Sequence, residues 1–191
     1  MPEFKGSGIR GCMALAFGSW KGFVERCWGN WRLTMKRKRI FISSVQSEFA
    51  FARSKLASFI NNDPYWSQFF YAFIFENLPA SQRSPSDIYL TEIDKCSIYM
   101  GIFGLRYGRL NATGISSTEQ EFDYAIEIGR DPLIFVKDLT PKARRAKRMQ
   151  ALIRKASVHT YTTFRNTDHL CSEVQRSLLY WQQDQNRRTA P

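Results

Sequence analysis

The chain has 191 residues, of which 43% are hydrophobic and 15% aromatic, and its formal net charge is +11. This length allows one ordinary domain with an appendage, and the hydrophobic content excludes a largely disordered chain. No apolar run approaches the roughly 18 residues of a membrane-spanning helix, so no membrane partner is expected. The four cysteines form no CxxC pair and the two histidines offer no zinc spacing, so we expect reduced thiols and a cytoplasmic location.

Basic residues are concentrated in two segments of the chain. Residues 1–38 hold eight Lys or Arg against two Glu, and residues 142–155 hold seven with no acid. Such clusters are compatible with contact to nucleotide phosphates, nucleic acid or anionic lipid, although a solvated helix face and a basic tail explain them more simply. Because no recognition motif accompanies them, autonomous binding of nucleic acid is not predicted.

The first 36 residues do not show the pattern of a folded unit. Their apolar stretch, 12–17, is too short for the core of a signal peptide and has no cleavage site. Met35 stands directly before Lys36-Arg-Lys-Arg39 and would be a sensible start of the protein. We therefore interpret residues 1–36 as a poorly structured basic leader or upstream extension, with a small docking helix as the alternative.

From residue 39 onward, apolar runs of strand length alternate with segments of helical periodicity. The expected strands are 39–45, 69–75, 98–103, 133–136 and 159–163. The expected helices are 48–60 with Ser47 as its cap, 86–96, 117–129, 141–156 and 167–183. Because this alternation indicates βαβ units with right-handed crossovers, we predict a flavodoxin-like three-layer α/β sandwich over residues 37–183. Its five-stranded, mostly parallel sheet should have the order 2-1-3-4-5, and residues 184–191 should form a polar tail or linker.

The functional edge of such a sheet lies at the carboxyl ends of strands 1, 3 and 4. Hydroxyl groups and open backbone amides at that edge are candidates for binding sugar hydroxyls or phosphates. The candidate binding residues are Ser43, Ser44, Gly104, Tyr107, Gly108 and Ser116. The segment Gly104-Leu-Arg-Tyr-Gly108 matches neither a Walker loop nor a GxGxxG fingerprint, so simple turn chemistry explains its glycines as well.

Two glutamates at the start of the third helix have different expected roles. Ser116-Ser-Thr-Glu119 matches a capping box, in which the serine oxygen accepts the Glu119 amide and the Glu119 carboxylate reaches back. Glu121 has no capping role and falls on the inward arc of the helix. Because an inward carboxylate is costly unless it is used or paired, Glu121 is the catalytic candidate, and a salt bridge to Arg53 or Arg106 is the structural alternative.

Several sequence blocks also carry a family resemblance. The blocks are Arg39-Ile-Phe-Ile-Ser-Ser-Val45, Glu48-Phe-Ala-Phe-Ala-Arg53, Phe75-Glu-Asn-Leu-Pro-Ala80, Tyr89-Leu90, Cys96 to Gly108, and Gly114 to Phe122. Over residues 38 to about 181 they closely resemble the domain-of-unknown-function family 4062. Members of that family often precede NTPase or AlbA-like modules in larger bacterial proteins, so the resemblance implies such a fused or neighbouring partner.

The expected fold is similar to that of the nucleoside deoxyribosyltransferase and TIR superfamily. Proteins of these two groups have a glutamate at the start of the matching helix, and their patterns, laid on Glu121-Phe-Asp-Tyr-Ala125, both select Glu121. One departure from family 4062 is Cys96-Ser97, where the family usually has Cys-Asp. The resemblance would assign the missing aspartate to the ligand site or its surroundings.

Two functions follow as hypotheses. The first is a nucleotide-sensing or interaction module of a larger bacterial protein with a role in phage defence. The alternative is an enzyme that cleaves or exchanges an N-glycosidic bond in a nucleoside, a nucleotide or NAD, with Glu121 attacking or stabilising the oxocarbenium-like centre. Under both hypotheses the ligand is a nucleotide or NAD, and neither a metal nor another cofactor is predicted.

Overall fold

Five parallel strands form the central sheet. The computed structural model describes residues 36–77, 82 and 85–189. The strands are β1 (Lys38–Ser44), β2 (Phe70–Phe73), β3 (Ile98–Phe103), β4 (Asp131–Lys137) and β5 (Tyr161–Phe164). Their order in the sheet is β2-β1-β3-β4-β5, and every neighbouring pair is parallel. The predicted α/β fold and its strand order are confirmed.

Helices cover both faces of this sheet. They are α1 (Gln46–Asn62), α2 (Trp66–Phe69), α3 (Pro85–Asp94), α4 (Ser117–Glu127), α5 (Lys147–Ala156) and α6 (Thr167–Thr189), with a short 3-10 helix at Phe75–Asn77. Leu56 of α1 and Leu178 of α6 belong to the apolar cluster on one face, and Phe122 of α4 and Leu152 of α5 to the cluster on the other. Within the described part of the chain, no helix combines the length and the apolarity needed to cross a membrane.

The central strand β3 is buried along its whole length. Ile98 and Met100 face one apolar cluster, and Tyr99 and Phe103 face the other, because successive side chains of a strand point to opposite faces. A strand covered on both faces reads as a continuous apolar run. For this reason both ends of β3 match the strand predicted from the sequence.

The start of α1 differs from the prediction. Val45 occupies the N-cap position without a side-chain hydrogen bond, so the predicted capping by Ser47 is wrong. The carbonyl of Val45 accepts the amides of Glu48 and Phe49 at 3.0 and 3.1 Å. Ser47 therefore lies inside the first turn, with its side chain exposed. Phe49 has non-helical torsion angles (φ −124°, ψ 17°), so the helix is kinked directly after this turn.

The basic segment 142–155 is helical only in its second part. Residues 141–146 form a loop, and the predicted helix start at residue 141 is wrong. Arg145 accounts for the path of this loop. Its Nε donates to the carbonyl of Gly104 at 3.2 Å, and its Nη2 donates to the carbonyl of Lys137. These tertiary hydrogen bonds hold the segment against the loop that follows β3.

The C-terminal helix is longer than its apolar pattern indicates. It continues through Gln183, where the pattern ends, to Thr189, and an ion pair of 2.8 Å joins Arg188 to Asp184 in its last turns. The predicted leader up to residue 35, most of the predicted loop at 79–85, and residues 190–191 lie outside the described residues.

Candidate functional site

A cleft of about 490 Å³ opens at the carboxyl edge of the sheet. Its walls are the end of β1, the first turns of α1 and α4, the loop after β3, and the side chains of Phe75 and Tyr89. Open α/β sheets hold ligands at this position, because the loops diverge where the strand order reverses. The cleft therefore lies where the sequence predicts a functional edge.

Glu121 lines this cleft from the first turns of α4. The residue is 8% exposed, and Ser43 at the end of β1 donates its hydroxyl to Oε2 of Glu121 at 2.5 Å. Among the described residues, no lysine, arginine or histidine forms an ion pair with Glu121. Burial raises the pKa of Glu121 to about 7, although the Ser43 hydrogen bond and the charge of Arg53 both favour the ionised form. Near neutral pH the carboxyl is therefore partly protonated.

Arg53 also lines the cleft, but it already has an anionic partner. Its Nε and Nη2 each donate to a carboxylate oxygen of Glu76 at 2.8 Å, and its Nη1 donates to the Ser44 hydroxyl at 3.3 Å. Burial alone would raise the pKa of Glu76, but the hydrogen bonds and charge of Arg53 outweigh it and lower that pKa. The structural alternative for Glu121, a salt bridge to Arg53 or Arg106, is not formed: Arg53 is paired with Glu76, and the Arg106 side chain is exposed.

A buried tyrosine hydroxyl lies close to Glu121. The hydroxyl of Tyr99 is inaccessible to solvent, and its nearest polar neighbour is the Ser43 hydroxyl, which favours the ionised form of Tyr99 although no hydrogen bond of normal geometry joins the two groups. Burial raises the pKa of Tyr99 well above its ordinary value, and the charge of Glu121 raises it further. Gly101 makes room for this ring, since a methyl group at residue 101 would come within 3.1 Å of it.

Only half of the predicted capping box is present. The Ser116 hydroxyl accepts the amide of Glu119 at 3.2 Å, which confirms the cap. The Glu119 carboxylate does not return to the Ser116 amide, so that half of the prediction is wrong. The Tyr107 hydroxyl stands between the two groups, accepting the Ser116 amide at 3.3 Å and donating to the Glu119 carboxylate. Lys155 of α5 completes the network with an ion pair of 3.3 Å to Glu119.

The structure divides the predicted binding residues into two groups. Ser44, Gly108 and Ser116 line the cleft together with Glu121, and Ser43 is buried beside them through its hydrogen bond to that carboxylate. The remaining two residues lie outside the lining. Tyr107 belongs to the capping network, and Gly104 is buried at the end of β3. The functional roles of all these residues remain predictions.

Gly104 has a structural role that the sequence does not reveal. The Glu48 carboxylate accepts the amides of Leu105 and Arg106, each at 2.9 Å, and lies directly against Gly104. A side chain at residue 104 would overlap this carboxylate and would come within 2.6 Å of the Phe49 ring. The glycine therefore allows α1 to hold the loop that forms one wall of the cleft.

Four further cleft residues were not selected from the sequence. Arg109 and Thr118 line the cleft beside Gly108 and Ser116. Each lies within two residues of one of these predicted binding residues in the sequence, and this proximity could have identified them as candidates. Phe75 and Tyr89 form the aromatic side of the cleft, with their ring centroids 4.6 Å apart in an edge-to-face contact. Both residues belong to sequence blocks that resemble family 4062, but no local pattern indicates that they meet, because only the tertiary fold brings them to the carboxyl edge.

Ser97, at the position where the family resemblance suggests an aspartate, lies at the opposite edge of the sheet. Its amide donates to the carbonyl of Arg39 at 2.9 Å, at the amino ends of β1 and β3. β3 has six residues, so it separates Ser97 from the carboxyl edge by roughly 20 Å. The substitution at this position therefore leaves the lining of the cleft unchanged.

A larger depression, of about 700 Å³, lies at the amino ends of β4 and β5 beside α6. Both acidic side chains of its lining are already engaged. The Asp131 carboxylate accepts hydrogen bonds from Trp181 at 2.7 Å and from Gln185 at 3.2 Å, and Asp184 forms an ion pair of 2.8 Å with Arg188. This depression lacks a buried, unpaired carboxylate of the kind found at Glu121. The cleft at the carboxyl edge is therefore the candidate site.

No curated protein sequence matches this chain. Among solved structures, the chain is similar to the CMP N-glycosidase BcmB from Clostridium botulinum, with 12% identity and a TM-score of 0.48 over 73% of this chain and 99% of that one. A likeness at this level carries no conclusion about what the chain binds or does. The model of the family described as a domain of unknown function, DUF4062, matches residues 39–179, which include β2 to β5 and all of β1 except Lys38. The chain therefore belongs to the DUF4062 family.

Proposed function

We propose that the cleft binds a nucleoside or nucleotide and that Glu121 promotes cleavage of its N-glycosidic bond. The observation that carries this proposal is the buried Glu121 carboxylate, which has a hydrogen bond from Ser43 but no cationic partner among the described residues. Such a group is costly to keep in a structure without a use. The cleft volume of about 490 Å³ is within the usual range for sites that hold small ligands.

The chemistry requires only one carboxylate beside the anomeric carbon. The bond from that carbon to the base nitrogen breaks, the base leaves with the electron pair, and positive charge develops on the sugar. Ionised Glu121 either stabilises this charge until water adds to the carbon, or attacks the carbon to form an ester that water then hydrolyses. In both cases the water oxygen ends on the anomeric carbon and a proton from water goes to the departing base nitrogen. Since Ser43 donates to Oε2 and no described residue donates to Oε1, Oε1 is available to the sugar.

The aromatic side of the cleft offers a surface for the base. Phe75 and Tyr89 both line the cleft and contact each other edge to face. Aromatic rings bind nucleobases by stacking, with little dependence on base identity. In this proposal the base lies against these two rings, and the sugar lies towards Glu121.

A second candidate function is a nucleotide-sensing or interaction module without turnover. The pKa of about 7 favours it, because a partly protonated Glu121 can both donate and accept hydrogen bonds when it recognises a ligand. This proposal includes a fused or neighbouring NTPase or AlbA-like module and a role in bacterial defence. It also includes kinship with TIR domains and nucleoside deoxyribosyltransferases. The cleft is common to both candidate functions.

Release of a free base distinguishes the two candidates. The protein is incubated with nucleosides, nucleoside monophosphates and NAD, and released bases are separated by chromatography. We expect release by the unmodified chain, a loss of at least 100-fold in Glu121→Gln, and full activity in Glu127→Gln, which changes an exposed glutamate of the same helix. Undiminished release by Glu121→Gln contradicts the enzyme proposal. If no base is released but a nucleotide raises the melting temperature, the sensing module is supported instead.

A further inference from the structure

We propose that the cleft contains a phosphate-binding seat formed by Arg109, Thr118 and the free backbone amides at the start of α4. The ligand of this site is therefore a nucleotide, and a nucleoside without phosphate binds much more weakly. This inference rests on the proposed function for the position of the sugar. It goes further by naming the substrate class and two residues that recognise it.

Free backbone amides from two helices meet at the cleft. Ser117 and Thr118 are the first two residues of α4, and Gln46 and Ser47 are the first two residues of α1; all four line the cleft. In the described part of the chain, none of these four amides donates to a protein acceptor. Helix N-termini carry partial positive charge, so two of them at one cleft favour an anion there.

Thr118 provides independent support for a ligand at this position. It is 4% exposed and lines the cleft, yet its hydroxyl has no hydrogen-bond partner among the described residues. The small exposed part of Thr118 includes this hydroxyl, which is therefore open to the cleft. A phosphate oxygen in the cleft would accept from this hydroxyl and from the adjacent amides.

Arg109 supplies the positive charge that a phosphate needs. It lines the cleft, is exposed, and forms no ion pair with any described residue. The loop that carries it, residues 104–116, contains no acidic residue. Arg53, the other cation of the lining, is already neutralised by Glu76. Arg109 is therefore the cation of the cleft lining that remains free for an anionic ligand.

The spacing of the seat from Glu121 suits a nucleotide. Thr118 and Glu121 are three residues apart on α4, and both line the cleft. Residues at this spacing lie on the same helix face with roughly 5–6 Å between their Cβ atoms. One ribose with a 5′-phosphate can bridge such a distance. The sugar would then lie at the carboxylate while its phosphate lies at the helix start.

The first experiment measures binding of inorganic phosphate and pyrophosphate by isothermal titration calorimetry at low salt. We expect Arg109→Gln and Thr118→Val each to weaken binding about tenfold. The matched control Arg165→Gln, which removes an exposed arginine between β5 and α6, should bind like the unmodified chain. Glu121→Gln should also retain binding. Phosphate binding can thus fail or succeed independently of base release, which tests the proposed function separately.

The second experiment compares adenosine with AMP and uridine with UMP in the same assay. Each monophosphate should bind at least tenfold more tightly than its nucleoside, and this advantage should disappear in Arg109→Gln. Because the Arg109 side chain is exposed, this variant keeps the test decisive even if Thr118→Val fails to fold. Equal affinity for nucleoside and nucleotide overturns the proposal. Failure of the unmodified chain to bind phosphate, or unchanged phosphate binding in both variants, also overturns it.

Discussion

The hydroxyl of Ser43 donates a hydrogen bond of 2.5 Å to Oε2 of Glu121, and this bond joins residues that are 78 positions apart in the chain. It connects the end of β1 with the start of α4 and holds the carboxylate at the wall of the cleft. A hydrogen bond to the charged form favours ionisation, so Ser43 opposes the effect of burial on the pKa of Glu121.

Replacing Ser43 by alanine should raise the pKa of Glu121 above about 7, because burial then acts without this hydrogen bond. The pKa can be followed by carbon-13 NMR of labelled glutamate side chains. Ser47→Ala is the control, since the Ser47 side chain is exposed and the hydroxyl that bonds Glu121 is that of Ser43. If catalysis occurs, the rise of activity with pH should move upward with this pKa. An unchanged or lower pKa in Ser43→Ala would contradict this account.

Glu121→Gln should stabilise the protein at high pH. The pKa of Glu121 rises from 4.5 to about 7 on folding, which corresponds to about 3 kcal/mol. Because the folded state binds this proton more tightly, the carboxyl lowers the free energy of unfolding progressively as pH rises from 4.5 to 7.

Urea unfolding at several pH values measures this effect. The free energy of unfolding of Glu121→Gln should match that of the unmodified chain below pH 4.5 and exceed it increasingly up to pH 7, with a constant difference above. Glu127→Gln, in the exposed part of the same helix, should show no such divergence. Loss of several kcal/mol in Glu121→Gln would instead indicate a buried ion pair.

Tyr107→Phe and Glu119→Gln should have non-additive effects on stability. Tyr107→Phe removes the acceptor of the buried Ser116 amide and should cost about 1–2 kcal/mol. Glu119→Gln should cost less once Tyr107 is changed, because the Tyr107 hydroxyl links the carboxylate to the cap. A double-mutant cycle from chemical denaturation measures the coupling. Strict additivity would mean that Glu119 stabilises the helix start without Tyr107.

Gly104→Ala should destabilise the protein by about 3 kcal/mol through steric overlap with Glu48 and Phe49. Gly114→Ala is the comparison, because Gly114 has a φ of 79° but no atom within 4 Å of an added methyl group. Its cost should be about 1 kcal/mol, from backbone strain alone. Thermal and urea unfolding of both variants test the difference. If Gly104→Ala lowers the free energy of unfolding less than Gly114→Ala does, the Glu48 side chain moves away from the added methyl group at little energetic cost.

Several features near the site follow from short-range patterns. The Ser116 cap and the inward position of Glu121 depend on residues within two turns of one helix, and the structure confirms both. The continuous apolar run of β3 likewise indicates a strand buried on both faces. The helix predicted from residue 141 fails because Arg145 binds carbonyls of distant strand ends, and no local periodicity reports that contact.

By itself, the sequence determines the α/β class, the strand order and the presence of a carboxylate on the inward face of α4. Residue periodicity is a property of short segments of the chain, so it can be read from the sequence. Chain connectivity and the right-handedness of crossovers follow rules that hold for nearly all α/β proteins. Only the tertiary structure decides that Ser43 binds Glu121, that Arg53 binds Glu76, and that Tyr107 separates Glu119 from its cap. The reason is physical: a side chain has several partners within reach in principle, and the packing of strand ends and helix starts selects one of them.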